Sequence, residues 1–185
     1  MGYEASVTEG SLAVTLTFED EMQIQILPAI REVDGIRILA EKDNTWSPVI
    51  KPEAFSSKLT EKNQECHGRL IPVIKLVKVA IESLPESIKP SGYHIESLAI
   101  EAFDGYSGPT NYKTMLQHFF ERSSHLVRDP IRDSTGQSIN VDQSMGPADS
   151  SLRQQLSGAM DRIARRMSNA DRAISSDNWL SAIGE

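Results

Sequence analysis

Cysteine is almost absent from this chain, because Cys66 is the only one among 185 residues. A single thiol cannot form a disulfide within the chain, and it cannot build a zinc site from cysteines. The first residues, MGYEASVTEG, also lack the basic and apolar segments of a signal peptide. We therefore predict a cytoplasmic protein.

Positive charge is scarce as well. Lysine and arginine number 19 against 26 acidic residues, which leaves a net charge of −7. A protein that binds duplex nucleic acid needs a basic surface against the phosphates, so we expect no such partner. The longest apolar run, residues 70–81, contains two lysines and is too short to cross a bilayer, so no membrane contact is expected.

Familiar catalytic motifs are missing too. The sequence contains no GxSxG, GxxxxGK[ST] or HExxH pattern. These absences exclude the common serine hydrolase, P-loop and zinc protease signatures.

The order of the predicted elements indicates an α+β fold. Residues 11–18 alternate between apolar and polar, and residues 22–27 follow after an acidic turn, so the two form an antiparallel hairpin. A turn at Asp34-Gly35 leads to a short third strand, and residues 41–56 form a loop. Strands before helices are typical of α+β rather than a doubly wound sheet. We treat 1–185 as a single unit with strands over about 11–40 and helices over about 57–183.

The helical region divides at its prolines and capping residues. One or two helices are predicted over 57–84, with Pro72 where the second begins. Ser91 caps a helix over 92–103, and Thr110 caps another over 111–127. Residues 128–147 form a polar loop. A long helix over 150–174 follows, because its apolar residues recur at intervals of three and four. Asp177 then caps a last turn.

Lys75 and Lys78 stand out in an otherwise apolar helix, where their spacing of three places them on one face. A buried ammonium needs an acid, water or an anionic ligand. Two interpretations stay open from these residues alone: a salt bridge, for instance between Lys78 and Glu82, or a phosphate site.

The segment PSGYHIESLAIEAF, residues 90–103, begins a helix with a hydroxyl, a glycine and an aromatic ring. Helix N-termini attract anions, and the ring of Tyr93 offers a surface on which a base can stack. Ordinary capping by Ser91 and core packing by Tyr93 explain the same residues.

His118, Glu121 and His125 share one face of a predicted helix. A metal site there would need ligands from a second element as well, so we interpret the three as a solvated face. The loop over 129–142 does not have the EF-hand spacing and is interpreted as a structured surface loop.

Together, five segments of the chain resemble the bacterial CD-NTases, the cGAS/DncV-like nucleotidyltransferases of antiphage (CBASS) defence. The segments are TFEDEMQIQILPAI, NTWSPVIKPEAF, RLIPVIKLVK, SGYHIESLAIEAF and ADRAISSDNWLSAIG. They occur in the family's order and cover most of the chain. The resemblance is to the C-terminal portion of the SMODS-type catalytic domain, which belongs to the polymerase-β-like fold.

The resemblance implies an enzyme that makes cyclic oligonucleotides from nucleoside triphosphates, with carboxylates that hold two Mg²⁺ ions. It implies that Lys78, alone or together with Lys75, contacts the triphosphate, and that Tyr93 stacks on the base. The family's neighbouring serine falls at Ser91 or Gly92. The strand over 22–27 carries two neutral amides, Gln23 and Gln25. The resemblance implies that Gln25 occupies the position of the family's third metal-binding acid.

The family's Gly-Ser motif and acidic pair are absent from this sequence, and Gly10-Ser11 does not replace them. The resemblance implies that the N-terminal half of the domain is not in this sequence. It lies on another chain, or it has been removed or lost. We therefore expect no catalysis and no tight Mg²⁺ binding by this chain alone. The alternatives are a truncated nucleotide-binding protein that acts as a decoy or regulator, and an interaction protein whose exposed strand edge binds a partner.

Overall fold

The computed structural model describes residues 5–10, 13–39, 45–135, 138–173 and 179. The chain separates into two compact units, Met1–Phe55 with Ser134–Gln137 and Ser56–Asp133 with Ser138–Glu185. The division at Phe55 lies close to the boundary expected between the strands and the helices.

The first unit consists of short antiparallel strands: β1 (Ala5–Glu9), β2 (Val14–Phe18), β3 (Gln23–Ile26), β4 (Ala29–Glu32) and β5 (Gly35–Ile38). The first three form one sheet in the order β1-β2-β3, and β4 and β5 form a separate hairpin. The predicted pairing of β2 with β3 is confirmed. The sequence pattern misses β1 and β4, because each contains only one large apolar residue, Val7 and Ile30.

The two faces of the three-stranded sheet differ in chemistry. Val7, Leu16 and Ile24 lie side by side across the strands, and Val14 and Ile26 form the next row, which Glu9 of β1 ends with a carboxylate. We call the surface made by these five residues the apolar sheet face. The opposite surface, the polar sheet face, carries only hydroxyl and amide side chains: Ser6, Thr8, Thr15, Thr17, Gln23 and Gln25.

The β4–β5 hairpin turns at Val33–Asp34, one residue before the predicted position. Gly35 is the first residue of β5, and the backbone of Ile36 exchanges two hydrogen bonds of 2.9 and 2.8 Å with that of Ile50. A Cβ atom at Gly35 would lie 2.2 Å from the carbonyl oxygen of Ile50. Glycine is required here because another backbone passes so closely.

The helices are α1 (Pro52–Glu65), α2 (Leu70–Ala80), α3 (Gly92–Ala102), α4 (Tyr112–Leu126) and α5 (Ser151–Ala173), with a 3₁₀ turn at Gln143–Met145. The expectation of loop up to residue 56 is wrong, because α1 begins at Pro52, a residue suited to the first helical position. Of the one or two helices expected over 57–84 the structure shows two, and the second begins at Leu70, two residues before Pro72. None of the described helices is long and apolar enough to cross a membrane.

Side-chain caps fix where two helices start. Ser91 caps α3 as predicted, since its Oγ accepts a hydrogen bond from the amide of His94 at 3.2 Å. The prediction that Thr110 caps α4 is wrong. Asn111 does so, and its Oδ1 accepts from the amide of Thr114 at 2.9 Å. Asparagine is the stronger cap, so the helix starts one residue later. The expected cap at Asp177 lies outside the described residues.

The core of the second unit lies between α2, α3, α4 and α5. The predicted apolar stripe of α5 is buried: Leu156, Met160, Ile163, Met167 and Ala170. In α4, the aromatic residue Tyr112 is exposed, and the guanidinium of Arg69 lies 5.2 Å above its ring. Cys66 is also in the core, and burial raises the pKa of its thiol.

Candidate functional site

The N-terminus of α3 brings together three of the predicted site residues. Ser91 precedes the helix, and Gly92 and Tyr93 form its first turn. The ammonium of Lys78, from α2, lies against this turn, since a Cβ atom at Gly92 would be 3.4 Å from the lysine Nζ. The positive end of the α3 dipole and a lysine ammonium therefore meet at one point.

Lys78 forms an ion pair with Glu96, one turn further along α3, with 2.8 Å between Nζ and Oε1. The salt-bridge interpretation of Lys78 is thus correct, but its partner is not the suggested Glu82, which pairs with Lys89 at 3.0 Å. The side chains of Lys78 and Glu96 are 41% and 28% exposed. An ion pair this accessible stabilises a protein by about 1 kcal/mol or less, so an anionic ligand can replace Glu96 at little cost.

Tyr93 is held in place through its hydroxyl. Its Oη donates a 2.7 Å hydrogen bond to Oδ1 of Asp133, in the loop that follows α4. The other carboxylate oxygen of Asp133 accepts from the amide and the hydroxyl of Ser138, at 3.0 and 2.8 Å. Asp133 is buried and Tyr93 half-buried. The loop thus fixes the orientation of the tyrosine ring.

A buried ion pair anchors the same loop to α5. Arg153 is fully buried, and its Nη1 donates to Oδ2 of Asp142 at 2.6 Å. The guanidinium also donates to the carbonyl oxygens of Val127, Asp129 and Gly146, at 3.0–3.1 Å. The remaining carboxylate oxygen of Asp142 accepts from the amide of Ile131. Such a pair is stable only when its other polar atoms are satisfied in this way.

His94 lies between this ion pair and the candidate site. Its Nε2 is 3.6 Å from Oδ2 of Asp142, and its side chain is buried. Burial lowers the pKa of His94 to about 4, against the opposing effect of the Asp142 carboxylate, while Arg153 lowers it further. His94 is therefore neutral at physiological pH.

The remaining predicted residues lie apart from this cluster. Lys75 is an exposed residue of α2 and takes part in none of the ion pairs formed by the described residues. Gln25 is exposed on β3 in the first unit, opposite Thr15.

The interpretation of His118, Glu121 and His125 as a solvated face is wrong for His118. This residue is half-buried, its Nε2 is 2.8 Å from the carbonyl oxygen of Ala102, and its ring contacts those of Phe103 and Tyr106. Glu121 and His125 are exposed. Among the residues that the structure describes, no group of three or more His, Cys, Asp or Glu could hold a metal ion.

Comparison with solved structures identifies the fold. The GTP-bound form of Vibrio cholerae DncV matches with a TM-score of 0.78 and 12% identity, over 97% of this chain and 50% of DncV. The chain has a C-terminal-half CD-NTase fold. Vibrio cholerae DncV cyclic AMP-GMP synthase with nonhydrolyzable GTP gives a TM-score of 0.76 at 13% identity, over 97% and 51% of the two chains. The structure of Escherichia coli MS115-1 CdnC with ATP gives a TM-score of 0.67 at 15% identity, over 97% of this chain and 65% of CdnC.

No protein-family model matches the sequence, and the search of curated proteins found no significant match. At these sequence identities, the similarity to the CD-NTase structures is a similarity of fold. The chain spans about half the length of the DncV structures that it matches. Its expected α+β class and the resemblance stated from the sequence are both confirmed.

Among the described residues, the side chains around Gln25 do not by themselves fit a magnesium site of the CD-NTase kind. Proteins bind Mg²⁺ mainly through carboxylates and retained water. Gln25 offers a neutral amide, and its neighbours on the polar sheet face are likewise uncharged. An amide oxygen can approach the ion but does not balance its charge.

Sequence reasoning missed Glu96, Asp133 and Arg153 as parts of the site and its support. Glu96 follows Tyr93 by three residues, so helical spacing could have identified it as a neighbour. The contacts of Asp133 and Arg153 join residues 40 and 11 positions apart, and no local pattern indicates them.

Proposed function

We propose that this chain forms the nucleotide-binding part of a CD-NTase-like nucleotidyltransferase, which joins nucleoside triphosphates into cyclic oligonucleotide second messengers in CBASS antiphage defence in the cytoplasm. One observation carries the proposal: the ammonium of Lys78 lies against Gly92 in the first turn of α3, and Tyr93 is the next residue of that turn. The likeness to DncV and CdnC structures that contain GTP or ATP supports it.

The phosphate group would bind where the ammonium and the helix N-terminus converge. A hydrogen bond to a charged group stabilises a complex by about 1.5–3 kcal/mol, whereas an accessible ion pair contributes about 1 kcal/mol or less. A phosphate oxygen therefore displaces Glu96 from Lys78 with a net gain. Lys75, on the same face of α2, can add a longer-range attraction to the triphosphate.

The base would stack on the ring of Tyr93. The hydrogen bond from Tyr93 to Asp133 holds the ring before the ligand arrives, so little side-chain freedom is lost on binding. Stacking on an aromatic side chain contributes about 1–3 kcal/mol per base and tolerates different bases. Ser91 caps the helix and contributes to the site through the orientation of the first turn.

Catalysis would require carboxylates from the other half of the domain. The metal ions neutralise charge at the reacting phosphates, and the residues of this chain bind and orient the nucleotide. Gln25 in place of the third acid favours a second candidate function, in which the chain binds a nucleotide without catalysis and acts as a decoy or regulator.

The proposal is tested by titrating the chain with GTP or ATP in a calorimeter. Lys78→Ala should weaken binding about 10- to 100-fold, because one charge-assisted contact is lost. Lys58→Ala removes the same charge from an exposed position on α1 and should change affinity less than about twofold. Equal effects of the two substitutions, or no binding by the unaltered chain, would contradict the proposed site.

Two substitutions at Tyr93 separate stacking from structure. Tyr93→Ala should weaken nucleotide binding about tenfold or more, since it removes the ring. Tyr93→Phe keeps the ring and loses only the hydrogen bond to Asp133, so it should retain most of the affinity. Equal loss in both variants would show that the hydroxyl, and not the ring, matters.

The two candidate functions differ in activity. The purified chain with Mg²⁺ and nucleoside triphosphates should release no cyclic oligonucleotide, whereas the chain combined with the other half of the domain should do so. Product from the isolated chain would refute the assignment of the catalytic carboxylates to another segment. Lack of product from the combined halves, with nucleotide binding retained, would support the decoy or regulator.

A further inference from the structure

The apolar sheet face is exposed although it has the composition of a protein core. Val7, Ile24 and Ile26 are 67%, 44% and 53% exposed. These residues stand in register with Leu16 and Val14 of the central strand, so they form one continuous surface. A sheet with an apolar face is stable when that face is packed against another layer.

The same sheet has the features of a buried one. Glu9 is the only charged residue in its three strands, and it lies at the margin of the apolar sheet face, opposite Val14. The outer strands β1 and β3 contain neither lysine nor proline, which are the residues that usually protect exposed edges. Both the face and the edges are thus suited to contact with more polypeptide.

The comparisons indicate what covers this surface. This chain aligns over 97% of its length with only 50% of GTP-bound DncV, so the matching fold contains about as much polypeptide again. We propose that the apolar sheet face is the docking surface for the polypeptide that supplies this other half. The identity of the partner rests on the function proposed above, while the existence of the surface rests on the register and exposure of β1–β3.

The charges beside the surface define the partner further. The turn between β2 and β3 contains the exposed acids Glu19, Asp20 and Glu21, followed by Met22. The docking segment should therefore be apolar toward Val7, Leu16 and Ile24, with basic residues near this turn, since opposite charges at the rim favour the correct orientation.

The test uses the full chain and, as a separately expressed polypeptide, the residues encoded immediately upstream of the Met1 codon, in a length equal to this chain. The two should form a complex of equal stoichiometry in size-exclusion chromatography with light scattering. Hydrogen exchange of β1–β3 amides should slow in the complex. Ile24→Lys should weaken the complex about tenfold or more, because a charge would enter a buried apolar contact.

Gln25→Lys is the matched control. It adds the same charge one residue away but on the polar sheet face, so the complex should weaken less than about twofold if docking uses the apolar face. Circular dichroism on both variants shows whether the helical unit remains folded. If a variant does not fold, the test of the docking surface is the slowed hydrogen exchange of β1–β3 amides in the complex of the unaltered chain.

Three results would overturn the proposal: no complex with the upstream polypeptide, loss of the complex through Gln25→Lys but not Ile24→Lys, or burial of the same amides by a second copy of this chain. The nucleotide titrations distinguish its failure from that of the proposed function. If Lys78→Ala still weakens nucleotide binding as predicted while docking fails, only the docking surface is wrong. If docking succeeds while Lys78→Ala has no effect, only the nucleotide site is wrong.

Discussion

Asp142→Asn should destabilise the helical unit strongly. The substitution keeps the shape of the side chain and removes its negative charge, which leaves the guanidinium of Arg153 buried with carbonyl oxygens only. Breaking a buried ion pair in this way costs about 3–5 kcal/mol. We expect the lower end, about 3 kcal/mol, because four carbonyl contacts remain, including the one to the backbone of residue 142.

The assay is urea unfolding followed by circular dichroism at 222 nm, which reports mainly on the helices. With a denaturant dependence of about 2 kcal/mol per molar urea, the midpoint should fall by about 1.5 M. The chain offers a matched control in the same loop. Asp149 pairs with Arg128 at 2.8 Å, but these side chains are 60% and 50% exposed. Asp149→Asn should therefore cost less than about 1 kcal/mol.

A double variant tests the mechanism. Replacing Asp142 by Leu and Arg153 by Met removes both charges, so it should destabilise the unit less than the sum of the single substitutions. The reasoning is refuted if Asp142→Asn shifts the midpoint no more than Asp149→Asn does. It is also refuted if the two single losses are simply additive.

The remaining predictions concern three other positions. His94 has a pKa of about 4 in the folded state and near 6.5 in the unfolded state, so between these values the unfolded state binds more protons. The unfolding free energy is therefore highest above pH 6.5 and should fall by about 2 kcal/mol from pH 7 to pH 5. Urea unfolding of His94→Gln should lack this pH dependence. Gly35→Ala should speed hydrogen exchange at the amide of Ile36, since the new Cβ collides with the carbonyl oxygen of Ile50; unchanged exchange would argue against this strain. Ser91→Ala should lower the unfolding free energy by about 1 kcal/mol, while Ser91→Asp should retain it, because only the latter can still cap the amide of His94; equal losses would contradict the capping role.

The sequence predicts best where a pattern is local. The hairpin of β2 and β3, the cap at Ser91 and the apolar stripe of α5 all follow from spacing within a few residues. The start of α1 at Pro52 and the cap at Asn111 differ from the prediction by a few residues, because several nearby residues can serve as boundaries.

Contacts between distant segments could not be predicted from such local patterns. The sequence identified Lys78 as a candidate, yet its partner proved to be Glu96 on another helix and not Glu82 on the following turn. His118 appeared to belong to a polar face, but the aromatic rings of Phe103 and Tyr106 surround it in the folded unit. Tertiary packing decides such positions, and helical spacing alone does not encode it.

The burial of Cys66 has a practical consequence for all of these experiments. As the chain's single cysteine it is 3% exposed, and burial raises the pKa of its thiol, so little reactive thiolate is available near neutral pH. A cysteine introduced on the protein surface should consequently react with maleimide dyes much faster than the native thiol. Fluorescent reporters can thus be attached at one chosen position without first removing Cys66 from the core.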